Sequence, residues 1–321
     1  MDLVNSLEGR LLFAVPKIRS FCPTAEGRLN AAALNLLEGA DIQFRRENRL
    51  DIALVKNLPI ALIFLPAADI PTFVGQGRVD LGITGWDQVK EHDAAVKATT
   101  SEDPSSPVSG SEMVMDLEFG ACKLQVQVPE KGQYATSTDL IGRTIGTSFV
   151  SLTEEYFAQL EAQASGAAPQ KLRTKIIELS GSVEAACALG VADGIVDLVE
   201  SGETMRAAGL KAIDTVVESV AVLIKSRSPS NTDLVDLIAA RIRGVITAQR
   251  YVLCQYNIER SSIAAATQIT PGKRAPTVTS LDDGWVAVSS MVEKKKIALV
   301  MDDLKRVGAQ DILVLDIHNT R

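Results

Sequence analysis

Three features of this chain predict an α/β protein with a mainly parallel sheet, followed by a separate C-terminal α+β module. Short apolar runs alternate with helical patterns from Leu11 to Leu179, the pattern of strands joined by crossover helices. From about Asn231 the order becomes β-α-β-β-α-β, that of a ferredoxin-like split βαβ module. Between the two, Val191–Leu210 reads as buried strand, acidic residue, small polar turn and helix.

Leu11–Val15 is apolar and predicts the first buried strand. Asn30–Leu37 is helical in pattern, and Ile42–Arg46 and Leu50–Val55 predict strands. Asn57-Leu58-Pro59 makes a turn before a third apolar run, Ile60–Leu65. Pro71 suits a first helical turn, so Ala68–Gly75 is predicted as a short helix. Val79–Thr84 predicts another strand. From Ala94 to Met113 the chain turns polar, Pro- and Ser-rich and aperiodic, which predicts a surface loop. A second α/β unit follows, with strands at Lys123–Val128, Ile145–Ser148 and Lys175–Leu179 and a helix around Leu152–Ala164. Thr215–Ile224 reads as one strand and Thr232–Arg250 as a helix. In the C-terminal module, strands are predicted at Tyr251–Tyr256, Thr277–Ser280, Trp285–Met291 and Ile312–Ile317. Helices are predicted at Ser261–Thr267 and Ile297–Val307.

The bulk properties exclude several functions. A net charge of −7 over 321 residues argues against sequence-independent nucleic-acid binding, which needs a basic face. No apolar run reaches the length of a membrane span, and the start, MDLVNSLEGR, lacks a secretory pattern. The four cysteines (Cys22, Cys122, Cys187, Cys254) have no metal or redox spacing and fit the reduced thiols of a cytoplasmic protein. With only His92 and His318, a histidine-rich metal site or a Ser-His-Asp enzyme is not expected.

The chemistry concentrates in Val191–Leu210. Asp197, near the end of its strand, can accept hydrogen bonds from two sugar hydroxyls. Ser201, Gly202, Glu203 and Thr204 form a turn opening a helix near Met205, where unpaired N–H groups and the helix dipole favour a phosphate. Taken alone, the same pattern equally describes an ordinary capped helix. Glu184 opens a helix upstream, and the returning strand can bring it beside Asp197. Two carboxylates there can grip a ribose diol or hold Mg²⁺ through water.

At this point the chain resembles a known family. Gly181–Leu210 is similar to the signature region of the ATP phosphoribosyltransferases. Arg45–Val89 resembles that family's N-terminal catalytic lobe. Phe119–Pro129 and Ile269–Glu293 resemble later parts of its long, histidine-regulated, fungal-like form.

The resemblance implies transfer of a phosphoribosyl group from phosphoribosyl pyrophosphate to N1 of ATP, with Mg²⁺, as the first step of histidine biosynthesis. It implies a two-lobed fold like the periplasmic binding proteins, with residues 1–93 and 195–222 in lobe I and 94–194 in lobe II. Residues 231–321 would form a C-terminal domain that binds histidine, and the protein would assemble into dimers and hexamers without nucleic acid or membrane. Glu184 and Asp197 would hold the ribose hydroxyls, and Asp197 with Ser201, Gly202, Glu203 and Thr204 would enclose the 5-phosphate. Lys17, Arg28, Arg49 and Asp69 are the ATP-side candidates; a surface ion pair or helix cap is the plain alternative for Arg49 and Asp69. Thr267, Ala287 and Ser289 are the histidine-side candidates.

The family's basic Pro-Lys-Gly-Arg-Leu loop is interrupted here: Ile18–Glu26 separates Pro16-Lys17 from Gly27-Arg28-Leu29. The insert loops out harmlessly, damages the site, or marks a gene-prediction error. The rival to an enzyme is an inactive ligand-binding protein on the same fold.

Overall fold

The computed structural model describes residues 7–17, 25–46, 50–100, 110–166 and 171–321. The chain divides into two units, one of Met1–Ala33 with Phe44–Val235 and one of Leu34–Gln43 with Asp236–Arg321.

In chain order the elements begin with β1 (Leu11–Pro16), α1 (Ala25–Gly39), β2 (Ile52–Leu54), β3 (Ile60–Leu65), α2 (Ile70–Gly75), β4 (Leu81–Gly85) and α3 (Trp86–Thr100). Next come β5 (Ser111–Asp116), β6 (Cys122–Pro129), β7 (Thr144–Thr147), α4 (Val150–Ser165), β8 (Lys175–Glu178) and α5 (Ala185–Ala188). Then follow β9 (Gly194–Val199), α6 (Glu203–Ala207), β10 (Leu210–Ser219), β11 (Ala221–Ser226) and α7 (Thr232–Arg250). The chain closes with β12 (Tyr251–Glu259), α8 (Ile263–Ile269), β13 (Thr277–Ser280), β14 (Trp285–Glu293), α9 (Ile297–Arg306) and β15 (Gln310–Asp316).

The first unit holds two mixed sheets. The first sheet has the order β2-β3-β1-β4-β11-β5 and the second β10-β6-β9-β7-β8. The apolar runs that predicted β1, β3 and β4 form the parallel centre of the first sheet, and antiparallel strands close both its edges. Such near-continuous apolar runs suit strands covered on both faces.

Several expectations are corrected. Thr215–Ile224 is not one strand. β10 pairs with β6 in the second sheet, and after Val220 the chain enters the first sheet as β11. β9 also belongs to the second sheet. The return to the first sheet is therefore made at Ala221–Ser226 rather than over 195–222. The polar stretch after Ala94 was expected to be loop, yet α3 runs on to Thr100 and β5 starts at Ser111. Ile42–Arg46 makes only an isolated bridge, Phe44 to Val55.

The two sheets of this unit are tied together. Glu91 on α3 accepts the first N–H groups of α4, from Ser151 (2.7 Å) and Leu152 (2.9 Å). This carboxylate cap satisfies donors the helix start leaves open. Lys97 pairs with Glu155 at 3.1 Å.

In the second unit the sheet order is β13-β14-β12-β15 with all neighbours antiparallel, the ferredoxin-like arrangement the β-α-β-β-α-β pattern predicts. Val252, Cys254, Tyr256, Val286 and Val288 face one way and pack with residues of α8 and α9. Residues 34–43 also belong here. Asn319 Nδ2 donates to the Gly39 carbonyl, and Arg241 Nη1 donates to the carbonyls of Ala40 and Asp41.

Candidate active site

Asp197 lies in the interior of β9, opposite Gln125 of β6, rather than near the strand's end. Ile195 and Val196 before it are fully buried, which anchors the strand, and the Asp197 side chain is half-buried. Its Oδ1 accepts the Leu198 N–H at 2.8 Å, and its carbonyl accepts from Gln127 Nε2 at 3.2 Å. Burial pushes its carboxyl up to about 6; the Leu198 N–H opposes that shift and the negative charge of Glu184 adds to it. The Glu184 charge is thus felt at the Asp197 carboxyl.

A small core explains how. Val183, Ala186, Ala192, Ile195 and Leu210 pack together, with Met205 and Ala208 of the α6 segment against them. Val183 fixes the residue beside Glu184, while Met205 and Ala208 fix the helix that follows the polar turn. Glu184 is the residue before α5 and makes no cap bond of its own, so its carboxylate is not consumed by the helix.

Gly202 sits at φ +74°, ψ 8°, left-handed backbone in which any side chain is strained. A Cβ there would meet Arg206 Nη1 at 2.8 Å, and Arg206 Nη2 donates to the Ser201 carbonyl at 3.1 Å. Ser201 and Thr204 are exposed. The helix expected from Met205 starts at Glu203 and has five residues, about one turn. A helix this short offers individual N–H and hydroxyl donors rather than a long dipole.

On the first sheet, Lys17 follows β1 and Nζ pairs with Asp51 Oδ2 at 2.6 Å. Asp69 precedes α2, is exposed and makes no side-chain cap bond, so the cap alternative is not realised. Arg28 is placed only as backbone within α1, while Arg49 and Ile18–Thr24 of the insert lie outside the described residues. Gly82 and Gly85 do not open space for a ligand. A Cβ on Gly82 would meet Ile70 Cγ2 at 2.5 Å, and one on Gly85 would run into Asp87 Oδ1.

Sequence reasoning missed Asp87. Its backbone N–H donates to Ser219 Oγ at 2.9 Å, Ser219 Oγ donates back to its carboxylate, and Gln88 Nε2 donates to the other oxygen. Burial raises the Asp87 carboxyl above its ordinary range, while the Ser219 hydroxyl, its own backbone N–H and the Gln88 amide pull it back. Trp86 N–H donates to the Val220 carbonyl. The α3 start is thereby stitched to the point where the chain crosses between sheets. The only advance signal was an acid in a first helical turn after Gly85.

In the C-terminal unit the three histidine-side candidates are not brought together. The Thr267 hydroxyl donates to the Ile263 carbonyl within α8, on the covered face of the sheet. Ala287 and Ser289 alternate with buried Val286 and Val288, so they point to the opposite face. Gln255 Nε2 donates to Ser289 Oγ at 3.4 Å on that face.

Among the described residues, no group of three or more histidines, cysteines or acids is placed to hold a metal, and no helix is long and apolar enough to cross a membrane. Cys122, Cys187 and Cys254 are free thiols.

Comparison with known proteins gives consistent matches. The sequence family described as ATP phosphoribosyltransferase matches residues 66–244, and that described as HisG, C-terminal domain, matches residues 248–319. The ATP phosphoribosyltransferase of Yarrowia lipolytica is 59% identical over 322 residues, covering all of both chains. That of Saccharomyces cerevisiae is 54% identical over 323 residues, again covering all of both. Among solved structures, a chain of the ATP phosphoribosyl transferase (HisG:HisZ) complex from Thermotoga maritima aligns with a TM-score of 0.53 at 21% identity. It covers 73% of this chain and 98% of that one, a likeness of fold.

Proposed function

The chain belongs to the ATP phosphoribosyltransferase family, and from that premise we infer that it transfers the 5-phosphoribosyl group of phosphoribosyl pyrophosphate to N1 of ATP. Pyrophosphate leaves, and phosphoribosyl-ATP enters histidine biosynthesis. The observation that best supports a working site is that the Glu184 charge acts on the Asp197 carboxyl, while Val183, Ile195 and Met205, neighbours of Glu184, Asp197 and the Ser201–Thr204 turn, share one small core. Burying the Asp197 carboxyl works against its charged form, a cost that a role in binding the ribose would explain.

In this reading Asp197 and Glu184 accept hydrogen bonds from the ribose hydroxyls. Ser201, Thr204 and the N–H groups near Gly202 and Glu203 hold the 5-phosphate. The adenine N1 lone pair forms a bond to the anomeric carbon as the bond to pyrophosphate breaks, so no covalent nucleophile is required. Positive charge develops on the sugar, and the two carboxylates are placed to stabilise it. Mg²⁺ keeps most of its ligands from phosphates and water, and Glu184 and Asp197 are the carboxylates that would meet it from the chain. When bound, the metal neutralises charge on the leaving pyrophosphate. Lys17, Arg28, Arg49 and Asp69 remain the proposed ATP contacts. We place the enzyme in the cytoplasm, consistent with its free thiols.

The direct test combines ATP, Mg²⁺, phosphoribosyl pyrophosphate and pyrophosphatase and follows the ultraviolet absorbance of phosphoribosyl-ATP. A folded sample that gives no product at high concentration would sink the reading.

A pH dependence follows. Asp197 is a carboxylate above about 6 and protonates as pH falls through that value. Hence kcat/KM for phosphoribosyl pyrophosphate should fall below about pH 6, since this parameter reports the free enzyme. A substrate phosphate also titrates near 6. Glu184→Gln separates the two, because removing the Glu184 charge should move the enzyme's apparent pKa downward and leave the phosphate's unchanged. An unmoved inflection in the variant would assign it to substrate.

Histidine inhibition and a dimeric or hexameric assembly are proposed on the family's pattern. Deleting residues from Asn231 onward is a poor test of regulation, since it would also strip Leu34–Gln43 of partners in their own unit. Ser289→Ala and Ala287→Leu are cleaner. They are expected to raise the histidine concentration for half-inhibition several-fold with uninhibited kcat unchanged, and unaltered inhibition in both would remove these residues from the site.

A further inference from the structure

At the C-terminal edge of β1 and β3, two cations share one carboxylate. Lys17 Nζ donates to Asp51 Oδ2 at 2.6 Å, and Arg46 Nη2 lies 3.7 Å from Asp51 Oδ1. The Arg46 guanidinium carbon lies 4.1 Å from the centroid of the Phe64 ring. Phe64 is buried in β3 and braced by Phe44, with ring centroids 6.4 Å apart. Stacking on a fixed ring holds the planar fork in one orientation, which a lysine would not match. The Lys17 backbone N–H donates to the Leu65 carbonyl at 2.7 Å, which extends the β1–β3 pairing to this residue.

Among the described residues, two cations face this one carboxylate, and about half of the Asp51 side chain is in solvent. Exposed ion pairs of this kind contribute little to stability. The C-terminal ends of the parallel strands of an open α/β sheet are where such folds bind ligands. A polyphosphate, with more charge and more oxygens than one carboxylate, would displace Asp51.

We propose that Lys17 and Arg46 form a two-cation clamp for the triphosphate arm of the acceptor nucleotide, with Asp51 as the resident counter-ion that the nucleotide displaces. This rests on the phosphoribosyl-transfer reading above. The triphosphate is favoured over the donor's pyrophosphate because the clamp lies on the first sheet, whereas the carboxylate pair and polar turn assigned to the donor follow from β9 in the second.

The two variants have opposite signs. Arg46→Gln should raise KM for ATP about tenfold, with KM for phosphoribosyl pyrophosphate and kcat unchanged, the pattern of lost uniform binding. Asp51→Asn should lower KM for ATP two- to fivefold, because the competing anion is gone. A merely structural ion pair would make both variants worse for ATP. Arg46→Lys, which keeps charge but loses the stack, should fall between wild type and Arg46→Gln; it replaces Arg46→Gln as the test should that variant not fold. An ATP KM unchanged in Arg46→Gln, or raised in Asp51→Asn, overturns the clamp. So does an effect on phosphoribosyl pyrophosphate alone. Wild-type enzyme that forms no phosphoribosyl-ATP would instead overturn the underlying function, so the two failures are distinguishable.

Discussion

Replacing Asp197 with asparagine is expected to lower kcat/KM for phosphoribosyl pyrophosphate by about 10²–10³-fold while leaving a protein at least as stable as wild type. The loss follows from the proposed role. The amide cannot match a carboxylate as an acceptor for ribose hydroxyls or as a negative charge beside a developing cation. The gain in stability follows from burial. With its carboxyl pushed up to about 6 from an ordinary 3.8, the folded chain disfavours the charged form. Above that range the carboxylate therefore costs the fold about 2–3 kcal/mol, at 1.36 kcal/mol per unit. The sign is that of an acid with a raised folded value: relative stability is greatest below about 4, falls as pH rises toward 6 and is constant above. Thermal unfolding at pH 7.5 and pH 4 checks this directly. The stability advantage of Asp197→Asn should be present at pH 7.5 and shrink at pH 4. A variant that unfolds easily at pH 7.5, or retains full activity, would show that Asp197 is an ordinary strand residue.

Ser219→Ala should destabilise the protein by about 2–3 kcal/mol near neutral pH, the scale for removing a buried hydrogen bond to a charged group. Ser219 is buried, donates a hydrogen bond to the Asp87 carboxylate and accepts one from the Asp87 N–H. Its loss leaves a buried carboxylate short of a donor and a backbone N–H without its partner. The defect should be pH-dependent. Burial already raises the Asp87 carboxyl, and the Ser219 hydroxyl is the largest influence pulling it back. Without the hydroxyl the carboxyl moves further up. The penalty applies to the charged form, so it should lessen as pH falls and Asp87 takes up a proton. Because Ser219 stands where β10 hands over to β11, the KM values of both substrates should rise together. Equal defects at pH 7.5 and pH 5, or a change in one KM only, would separate this bond from the crossing between sheets.

Most strands and helices were legible because their apolar residues repeat with the period of the element. β3 and β13 were expected over the ranges they occupy, and α7 likewise. The failures have physical causes. The end of α3 is polar enough to read as loop, yet Glu91 and Lys97 make tertiary contacts that hold the helix. β10 and β11 were read as one strand because local sequence carries no mark of a change of sheet; only the partners of each residue differ.

The sequence by itself determined the α/β class, the C-terminal β-α-β-β-α-β module and the family. Each is written in local periodicity, in spacing or in a long ordered motif. Tertiary structure alone decided that burial pushes the Asp197 carboxyl up to about 6, since desolvation depends on what surrounds a carboxylate and not on its neighbours in the chain. It alone decided that Asp87 meets Ser219 across 132 residues, and that Asp51 shares two cations beside Phe64. Electrostatics acts over a few ångströms of space, and only the fold decides which residues share them.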